Sequence, residues 1–208
     1  LLIMVDKEGD LAHPDEKVRD SAVERHKKWV DAAYRLGSHS IRVNTNGTLV
    51  EDLWLEAAED GLRKLATYAA TKNINVIVEN HGGFSSQPEK LMQVINALNM
   101  PNSGTLPDFG NWCIKWDKKS KTCKLKYDDY YKGIKLMMPA AKAVSAKSND
   151  FDENGNEIRI DYVKMLQIVK NAGYNGYIGI EYEGQRLSEL EGVIATRDLL
   201  INAAKELK

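Results

Sequence analysis

The chain has 208 residues, of which 43% are hydrophobic and 28% charged, the composition of an ordinary globular protein. Its formal net charge is −1, from 29 basic and 30 acidic side chains, which excludes a protein that attracts nucleic acid or an acidic membrane through its overall charge. Its longest apolar runs are far shorter than the ~20 residues of a bilayer-spanning helix. This composition fits a small partner that is neutral or singly charged. The formation of a homo-oligomer is also compatible with it.

Short segments rich in β-branched residues alternate with longer amphipathic segments along the whole chain, a pattern typical of strands followed by helices. The predicted strands are residues 1–6, 40–44, 75–81, 104–109, 142–148 and 177–183. A helical pattern follows each of them. Six consecutive β-then-α units without a hairpin signal require parallel strands joined by crossover helices.

Local signals mark where these helices begin and end. Three Ser/Thr residues precede a glutamate at the spacing of a capping box: Thr48 with Glu51, Ser86 with Glu89, and Ser188 with Glu191. Three further residues stand where a left-handed helix end is expected: Gly37, Asn73 and Gly173. These signals place the helices between the predicted strands.

The spacing of the units separates a closed barrel from an open sheet. The polar strand-end residues Arg42, Glu79, Asp108, Ser145 and Glu181 follow one another at intervals of 37, 29, 37 and 36 residues. A (β/α)₈ barrel of about 250 residues uses roughly 30 residues per unit. The sequence also lacks the glycine-rich phosphate-binding motifs of open nucleotide-binding sheets. We therefore predict an α/β fold, a (β/α)₈ TIM barrel.

Six units where a barrel needs eight indicate an incomplete barrel. The first predicted strand starts at Leu1 without an initiator methionine, so we expect an N-terminally truncated barrel with strands three to eight present and the first two βα units missing. Residues 1–208 then form one domain, with residues 111–126 as a polar insertion in a βα loop. Cys113 and Cys123 lie in this insertion, and the second Cys or His pair that a zinc finger needs is not present at the required spacing. In an exported protein these two cysteines could form a local disulfide. The sequence does not identify the cellular compartment. The default expectation is the cytoplasm, and export is the alternative.

Polar side chains occupy the inward positions at the ends of the predicted strands. Residues i and i+2 of a strand share a face, and the carboxyl ends of barrel strands open into the active-site mouth. The inward residues are Arg42 and Asn44, Glu79 and His81, Asp108, Ser145 and Lys147, and Glu181 and Glu183. A structural core would place Val, Ile or Leu there, because an unpaired buried charge costs several kcal/mol. The sequence therefore predicts that charged groups converge on one functional site.

The carboxylates of Glu79, Asp108 and Glu181 would repel one another unless a cation lies among them. A hard divalent ion suits oxygen ligands, so these three residues are candidate ligands for a metal (Mn²⁺, Mg²⁺ or Zn²⁺), with His81 as a nitrogen ligand. The alternative is an ion-pair network in which Lys147 or Arg42 supplies the positive charge.

Four strand ends carry short motifs that together resemble a known family. They are Val-Glu-Asn-His-Gly-Gly (78–83), Leu-Pro-Asp-Phe-Gly-Asn (106–111), Val-Ser-Ala-Lys-Ser (144–148) and Gly-Ile-Glu-Tyr-Glu-Gly (179–184). These motifs resemble strands five to eight of the sugar phosphate isomerase/epimerase family, the xylose-isomerase-like TIM barrels, and the resemblance covers the whole chain. In that family a Glu, an Asp, a His and a Glu on these strands hold one divalent metal, and the two glutamates also move the substrate proton. The resemblance implies ligand roles for Glu79, Asp108 and Glu181.

The sequence departs from the family pattern on strand seven, where Ser145 occupies the position of the metal-binding histidine. Two residues can compensate for this loss. His81 lies two residues after Glu79 and can supply a nitrogen ligand, which is the favoured interpretation. Lys147, two residues after Ser145, can instead place its ammonium where the metal would bind.

The resemblance implies a metal-assisted isomerase or epimerase of a sugar or keto-sugar. Glu79 and Glu181 would remove and return a proton next to a carbonyl, and Lys147 is the third candidate catalytic residue. The candidate substrate-binding residues are Arg42, Asn44, Ser145, Glu183 and Trp112.

Two other functions share the same site. A keto-glycoside lyase or hydrolase would use the same enolate chemistry and then expel a β-substituent. A carbohydrate-binding relative without catalysis would have lost the metal. All three interpretations predict a small carbohydrate ligand, with no nucleic-acid or membrane partner.

Overall fold

The computed structural model describes residues 2–208, in which strands and helices alternate in the predicted order except that three strands in succession precede the fourth helix. The strands are β1 (Ile3–Val5), β2 (Ser40–Val43), β3 (Asn75–Glu79), β4 (Ser103–Leu106), β5 (Cys113–Asp117), β6 (Thr122–Lys126), β7 (Val144–Ser148) and β8 (Ile178–Tyr182). The helices are α1 (Glu16–Leu36), α2 (Glu51–Ala70), α3 (Pro88–Leu98), α4 (Tyr130–Met137), α5 (Tyr162–Asn171) and α6 (Glu189–Lys205). Among these residues, no helix has both the length and the apolar character needed to span a membrane.

Six of the strands are parallel and lie side by side in chain order. Strands β1, β2, β3 and β4 form one sheet in that order, and β7 pairs with β8. Parallel bridges from Thr105 to Ala141 and from Asp108 to Ser145 connect the end of β4 with the β7 segment. The carboxyl ends of all six strands therefore meet at one edge, where a TIM barrel carries its active site.

The barrel is not closed by these residues. A barrel closes only when its first and last strands pair with each other. Within residues 2–208, β1 pairs with β2 alone and β8 pairs with β7 alone, so the two outer strands leave the wall open.

Alternation along the strands separates an apolar layer from a polar face. Ile41 and Val43 of β2 are fully buried in the layer between strands and helices, and Arg42 between them points to the opposite face. The helices complete the layer with apolar residues three or four positions apart, as on α2: Ala58, Leu62, Leu65, Ala66 and Ala69. Each fully buried leucine contributes about 1.5–3 kcal/mol relative to an exposed one. This layer fixes the strands whose ends carry the charged residues.

The predicted helix ends are partly correct. Gly37, Asn73 and Gly173 all have left-handed backbone angles, with φ of 70°, 56° and 73°, and Ser188 forms a complete capping box with Glu191. The other two predicted capping boxes are wrong.

Both failed boxes have a local cause. Helix α2 has Val50 as its N-cap, and the Thr48 hydroxyl accepts a hydrogen bond from the Val50 backbone instead. Helix α3 starts at Pro88 after a short 3₁₀ turn over Gly83–Ser86, and the Ser86 hydroxyl donates to the Asn111 carbonyl. Thr48 lies two residues before the N-cap of α2 and Ser86 one residue before the N-cap of α3, so neither occupies the capping position.

The polar stretch after β4 folds into an antiparallel hairpin of β5 and β6. Cys113 and Cys123 form a disulfide across it. At its base, the Trp112 ring stacks on Tyr130 with ring centroids 5.5 Å apart. The hairpin is therefore anchored at its base, next to the carboxyl ends of the parallel strands.

Candidate active site

Three carboxylates from three different strand ends meet at the open edge of the parallel strands. One oxygen each of Glu79, Asp108 and Glu181 lies within 4.8 Å of the other two. Glu79 is the last residue of β3, Asp108 follows β4, and Glu181 lies on β8. The structure thus brings together the three residues that the sequence places on one inward face.

Glu79 is held by two donors on opposite sides of its carboxylate. The Arg42 Nε atom donates to Oε2 at 2.5 Å, and the Asn111 amide nitrogen donates to Oε1 at 2.6 Å. Arg42 and Glu79 each expose only 3% of their side chains. The other end of the guanidinium pairs with Asp6 at 2.5 Å. The guanidinium presents its N–H donors in one fixed plane, so Arg42 holds the Glu79 carboxylate in one orientation.

Glu181 faces a different pair of donors. The Ser145 hydroxyl donates to Oε2 at 3.0 Å, and the Lys147 ammonium lies 3.1 Å from Oε1. Lys147 is 2% exposed and also pairs with Glu183 at 3.1 Å. Burial lowers the pKa of Lys147, but the carboxylates of Asp108, Glu181 and Glu183 outweigh it and hold the pKa above its ordinary value. Glu181 therefore has a positively charged hydrogen-bond donor beside it.

Asp108 is the most deeply buried of the three carboxylates, with no solvent exposure. Its Oδ1 atom accepts hydrogen bonds from the backbone N–H groups of Gly110 and Asn111 at 2.9 and 2.8 Å. Its Oδ2 atom has no hydrogen-bond partner among residues 2–208. Burial raises the pKa of Asp108 to about 7, against the opposing effect of Lys147, and the charge of Glu79 adds to the rise.

Asn80 fixes the backbone of Asp108. Its side-chain oxygen accepts from the Asp108 backbone N–H at 2.7 Å, and its side-chain nitrogen donates to the Asp108 carbonyl at 2.9 Å. The buried amide therefore replaces the ladder hydrogen bonds that end with β3 and β4.

The three carboxylates fit a divalent cation. A buried carboxylate oxygen without a partner costs free energy unless a cation or a donor reaches it, and Asp108 Oδ2 is such an atom. Hard oxygen donors are the ligands that Mg²⁺ and Mn²⁺ prefer. Glu79, Asp108 and Glu181 could hold the metal, and Ser145 supports Glu181 from the position where the family pattern has a histidine.

His81 does not join this group. The side chain is exposed, and the group of ligand atoms that includes Glu79, Asp108 and Glu181 does not include an atom of His81. The strand ends at Glu79, two residues before His81, and Gly82 and Gly83 then turn the chain with φ of 88° and 61°. The alternation that placed His81 inward therefore does not extend to it. The inward position assigned to His81 is therefore corrected.

Trp112 and Asn44, two of the predicted substrate-binding residues, lie in different surroundings. Trp112 is 2% exposed, and its indole nitrogen donates to the Phe109 carbonyl at 2.7 Å, so the ring is a core residue under the hairpin and cannot stack on a sugar. Asn44 lies at the end of β2, where its nitrogen donates to Asp6 at 2.8 Å and its oxygen is buried without a partner among residues 2–208. Asn44 is the better placed of the two for a substrate hydroxyl.

Sequence reasoning missed Asp6, Asn80 and Asn111 as site residues. Asp6 follows β1 at the same edge as the other strand ends, so its position after a strand was an available signal. Asn80 and Asn111 lie in loops, where no periodicity indicates which way a side chain points.

The chain is similar to known proteins of one family. Residues 4–203 match the family model described as Xylose isomerase-like TIM barrel. A segment of 54 residues is 39% identical to the C-glycoside deglycosidase alpha subunit of Arthrobacter globiformis, and it covers 26% of this chain and only 15% of that protein.

Solved structures agree with the family match. A D-tagatose 3-epimerase-like protein superimposes with a TM-score of 0.75 at 18% identity, covering 98% of this chain and 76% of that one. A xylose isomerase-like TIM barrel protein from Mycobacterium smegmatis, in complex with magnesium, superimposes with a TM-score of 0.70 at 16% identity, covering 100% and 74%. At these identities the likeness shows the fold. With the family model matching nearly its whole length, the chain belongs to the xylose isomerase-like TIM barrel family.

Proposed function

We propose that the protein is a divalent-metal-assisted isomerase or epimerase of a sugar or keto-sugar, and that it works by proton abstraction next to a carbonyl. The observation that carries the proposal is the meeting of Glu79, Asp108 and Glu181 within 4.8 Å, with the buried Asp108 Oδ2 atom left without a partner. The sugar epimerase-like fold of the structural neighbours supports it.

Glu79 and Glu181 are the proposed acid and base. One carboxylate takes the proton from the carbon next to the carbonyl, and the other returns a proton to complete the isomerisation or epimerisation. Glu79 is held by the guanidinium of Arg42, whereas Glu181 lies 3.1 Å from the Lys147 ammonium, whose positive charge orients the carboxylate. Lys147 also offers positive charge to an oxygen that becomes negative during the reaction.

The proposed metal would be held by Glu79, Asp108 and Glu181. When bound, it would polarise the substrate carbonyl and hydroxyl oxygens and so lower the free energy of the enediolate. Asn44 and Glu183, at the rim, are the proposed partners of the remaining sugar hydroxyls.

A keto-glycoside lyase or hydrolase is the second candidate. The short match to a C-glycoside deglycosidase subunit favours it. It begins with the same proton abstraction and differs only in the loss of a substituent from the neighbouring carbon, so the residues assigned above serve both reactions.

Solvent deuterium exchange tests the proposal. The Mn²⁺-loaded protein is incubated in D₂O with a panel of ketoses and keto-glycosides, and proton NMR follows the C–H next to the carbonyl. We expect exchange of that position with formation of an isomer or epimer. Release of the aglycone with exchange would favour the lyase. Metal binding without exchange of any compound would contradict the proposal.

Metal affinity should depend on pH through Asp108. Its pKa of about 7 means that the carboxyl carries a proton below neutral pH, and this proton must leave before the oxygen can act as a ligand. We expect the affinity for Mn²⁺ to rise about tenfold per pH unit up to about pH 7 and then to level off.

Calorimetry in two buffers with different heats of protonation measures the protons released. About one proton is expected at pH 6 and almost none at pH 8.5. His81→Ala is the control, because histidine also changes charge between about pH 5 and pH 8. Loss of the proton release in His81→Ala would assign it to the imidazole and contradict the role of Asp108.

His81→Ala separates the two predicted ligand sets. Since His81 is exposed and lies outside the carboxylate group, we expect its replacement to change the Mn²⁺ dissociation constant by less than about twofold. Asp108→Asn, measured by the same titration, should weaken binding by at least about 10- to 100-fold. A comparable loss in both variants would restore His81 as a ligand.

A further inference from the structure

The side chain of Asn111 lies between the two differently supported halves of the site. Its amide nitrogen donates to Glu79 Oε1 at 2.6 Å, and its amide oxygen accepts from the Lys147 ammonium at 3.0 Å. Both polar atoms of one amide are therefore used, one on a carboxylate and one on an ammonium group.

The backbone of Asn111 is fixed as firmly as its side chain. Its N–H donates to Asp108 Oδ1 at 2.8 Å. Its carbonyl accepts from the Ser86 hydroxyl at 2.8 Å and from the Asn80 amide at 3.3 Å. The residue thus touches Glu79, Asp108 and Lys147 from a backbone that has little freedom to move.

Gly110 brings this loop close to Lys147. A Cβ atom at position 110 would come within 2.9 Å of the Lys147 Cγ atom, so only glycine lets the backbone pack on the aliphatic part of the lysine. The close approach sets the position from which the next residue, Asn111, reaches the ammonium group.

The chemistry of the two neighbours determines the orientation of the amide. A carboxylate accepts hydrogen bonds and an ammonium group donates them, so the amide must turn its nitrogen to Glu79 and its oxygen to Lys147. An aspartate at position 111 would offer only acceptors and would repel Glu79. A leucine of similar size would offer neither group, and Glu79 and Lys147 would be free to pair directly.

We infer that Asn111 is a positioning residue that separates Glu79 from Lys147 and commits the lysine to Glu181 and Glu183. Through this separation Glu79 keeps Arg42 as its cation, and Lys147 stays paired with Glu181 and Glu183. The effect on turnover rests on the proposed function, whereas the effect on the positions of Glu79 and Lys147 does not.

Crystal structures of Asn111→Leu and Asn111→Asp test the positioning directly. In Asn111→Leu we expect Lys147 to turn from Glu181 towards Glu79 and to form a direct ion pair with it. In Asn111→Asp we expect Glu79 to turn away from position 111, with Lys147 remaining. Unchanged positions of Glu79 and Lys147 in the leucine variant, or in the aspartate variant if the leucine variant does not fold, would overturn the inference.

Kinetics on the same variants test the consequence. We expect kcat for the exchange reaction to fall by about 10- to 100-fold in both variants, with KM changed by less than about twofold, because ground-state contacts to substrate remain. Asn202→Asp is the control, since this exposed amide also accepts from a lysine, Lys205 at 3.0 Å, far along α6. Unchanged kcat in both Asn111 variants would overturn the inference. Failure of the wild-type protein to exchange any substrate would instead count against the proposed function, and the crystal structures would still decide the positioning.

Discussion

Glu79→Gln and Glu181→Gln should each lower the rate of interconversion of the two substrate isomers by about 10²- to 10⁴-fold, the usual contribution of a positioned acid or base. Each substitution keeps the size of the side chain and its capacity to accept a hydrogen bond, but an amide cannot take up a proton. Because one residue must remove the proton and the other must return one, loss of either stops the complete reaction. The rate is measured by NMR with Mn²⁺ at a concentration that saturates each variant.

Glu59→Gln is the matched control for both variants. Glu59 pairs with Arg63 on the exposed side of α2, where 38% of its side chain is accessible, and its replacement should leave the rate unchanged. Rates within about threefold of the wild-type rate in both site variants would remove Glu79 and Glu181 from the proton-transfer step. If only one variant retains the rate, the second proton must come from another group, and Lys147 is the nearest candidate.

The sequence predicts the carboxylate group because strand alternation continues to the last strand residue. Arg42, Glu79, Lys147 and Glu181 all lie within strands, where successive side chains point to opposite faces and alternate residues share one face. Asp108 follows its strand by two residues and keeps the same direction. Regular geometry is therefore sufficient for the residues that the proposed chemistry uses.

The same rule fails at His81, which lies two residues past the end of β3. The Gly82-Gly83 pair is the sequence signal that the backbone leaves the extended conformation there, and both glycines have left-handed φ values. The positions of Asn80 and Asn111 are fixed by tertiary hydrogen bonds to other loops. Such contacts produce no periodic pattern in the sequence. The local sequence also does not indicate whether the barrel closes, because closure depends on which strand pairs with β1.

Arg42→Met should destabilise the protein by about 3–5 kcal/mol, the usual cost of removing one partner from a buried ion pair. The side chains of Arg42 and Glu79 are each only 3% exposed to solvent. Methionine keeps most of the aliphatic contacts of the arginine but leaves the Glu79 carboxylate buried, with only the Asn111 amide as a donor. Denaturant unfolding of the metal-free protein measures the free energy of unfolding.

Two further variants identify the cause of this loss. Arg197→Met removes an arginine from an exposed pair with Asp198, in which the two side chains are 55% and 53% accessible, and should cost at most about 1 kcal/mol. The double variant Arg42→Met/Glu79→Gln should recover most of the lost stability, because no unpaired charge then remains in the site. If Arg42→Met costs no more than Arg197→Met, the ion pair is not what holds Glu79 in place. If the double variant is as unstable as the single one, the loss comes from the packing of the arginine side chain instead of from its charge.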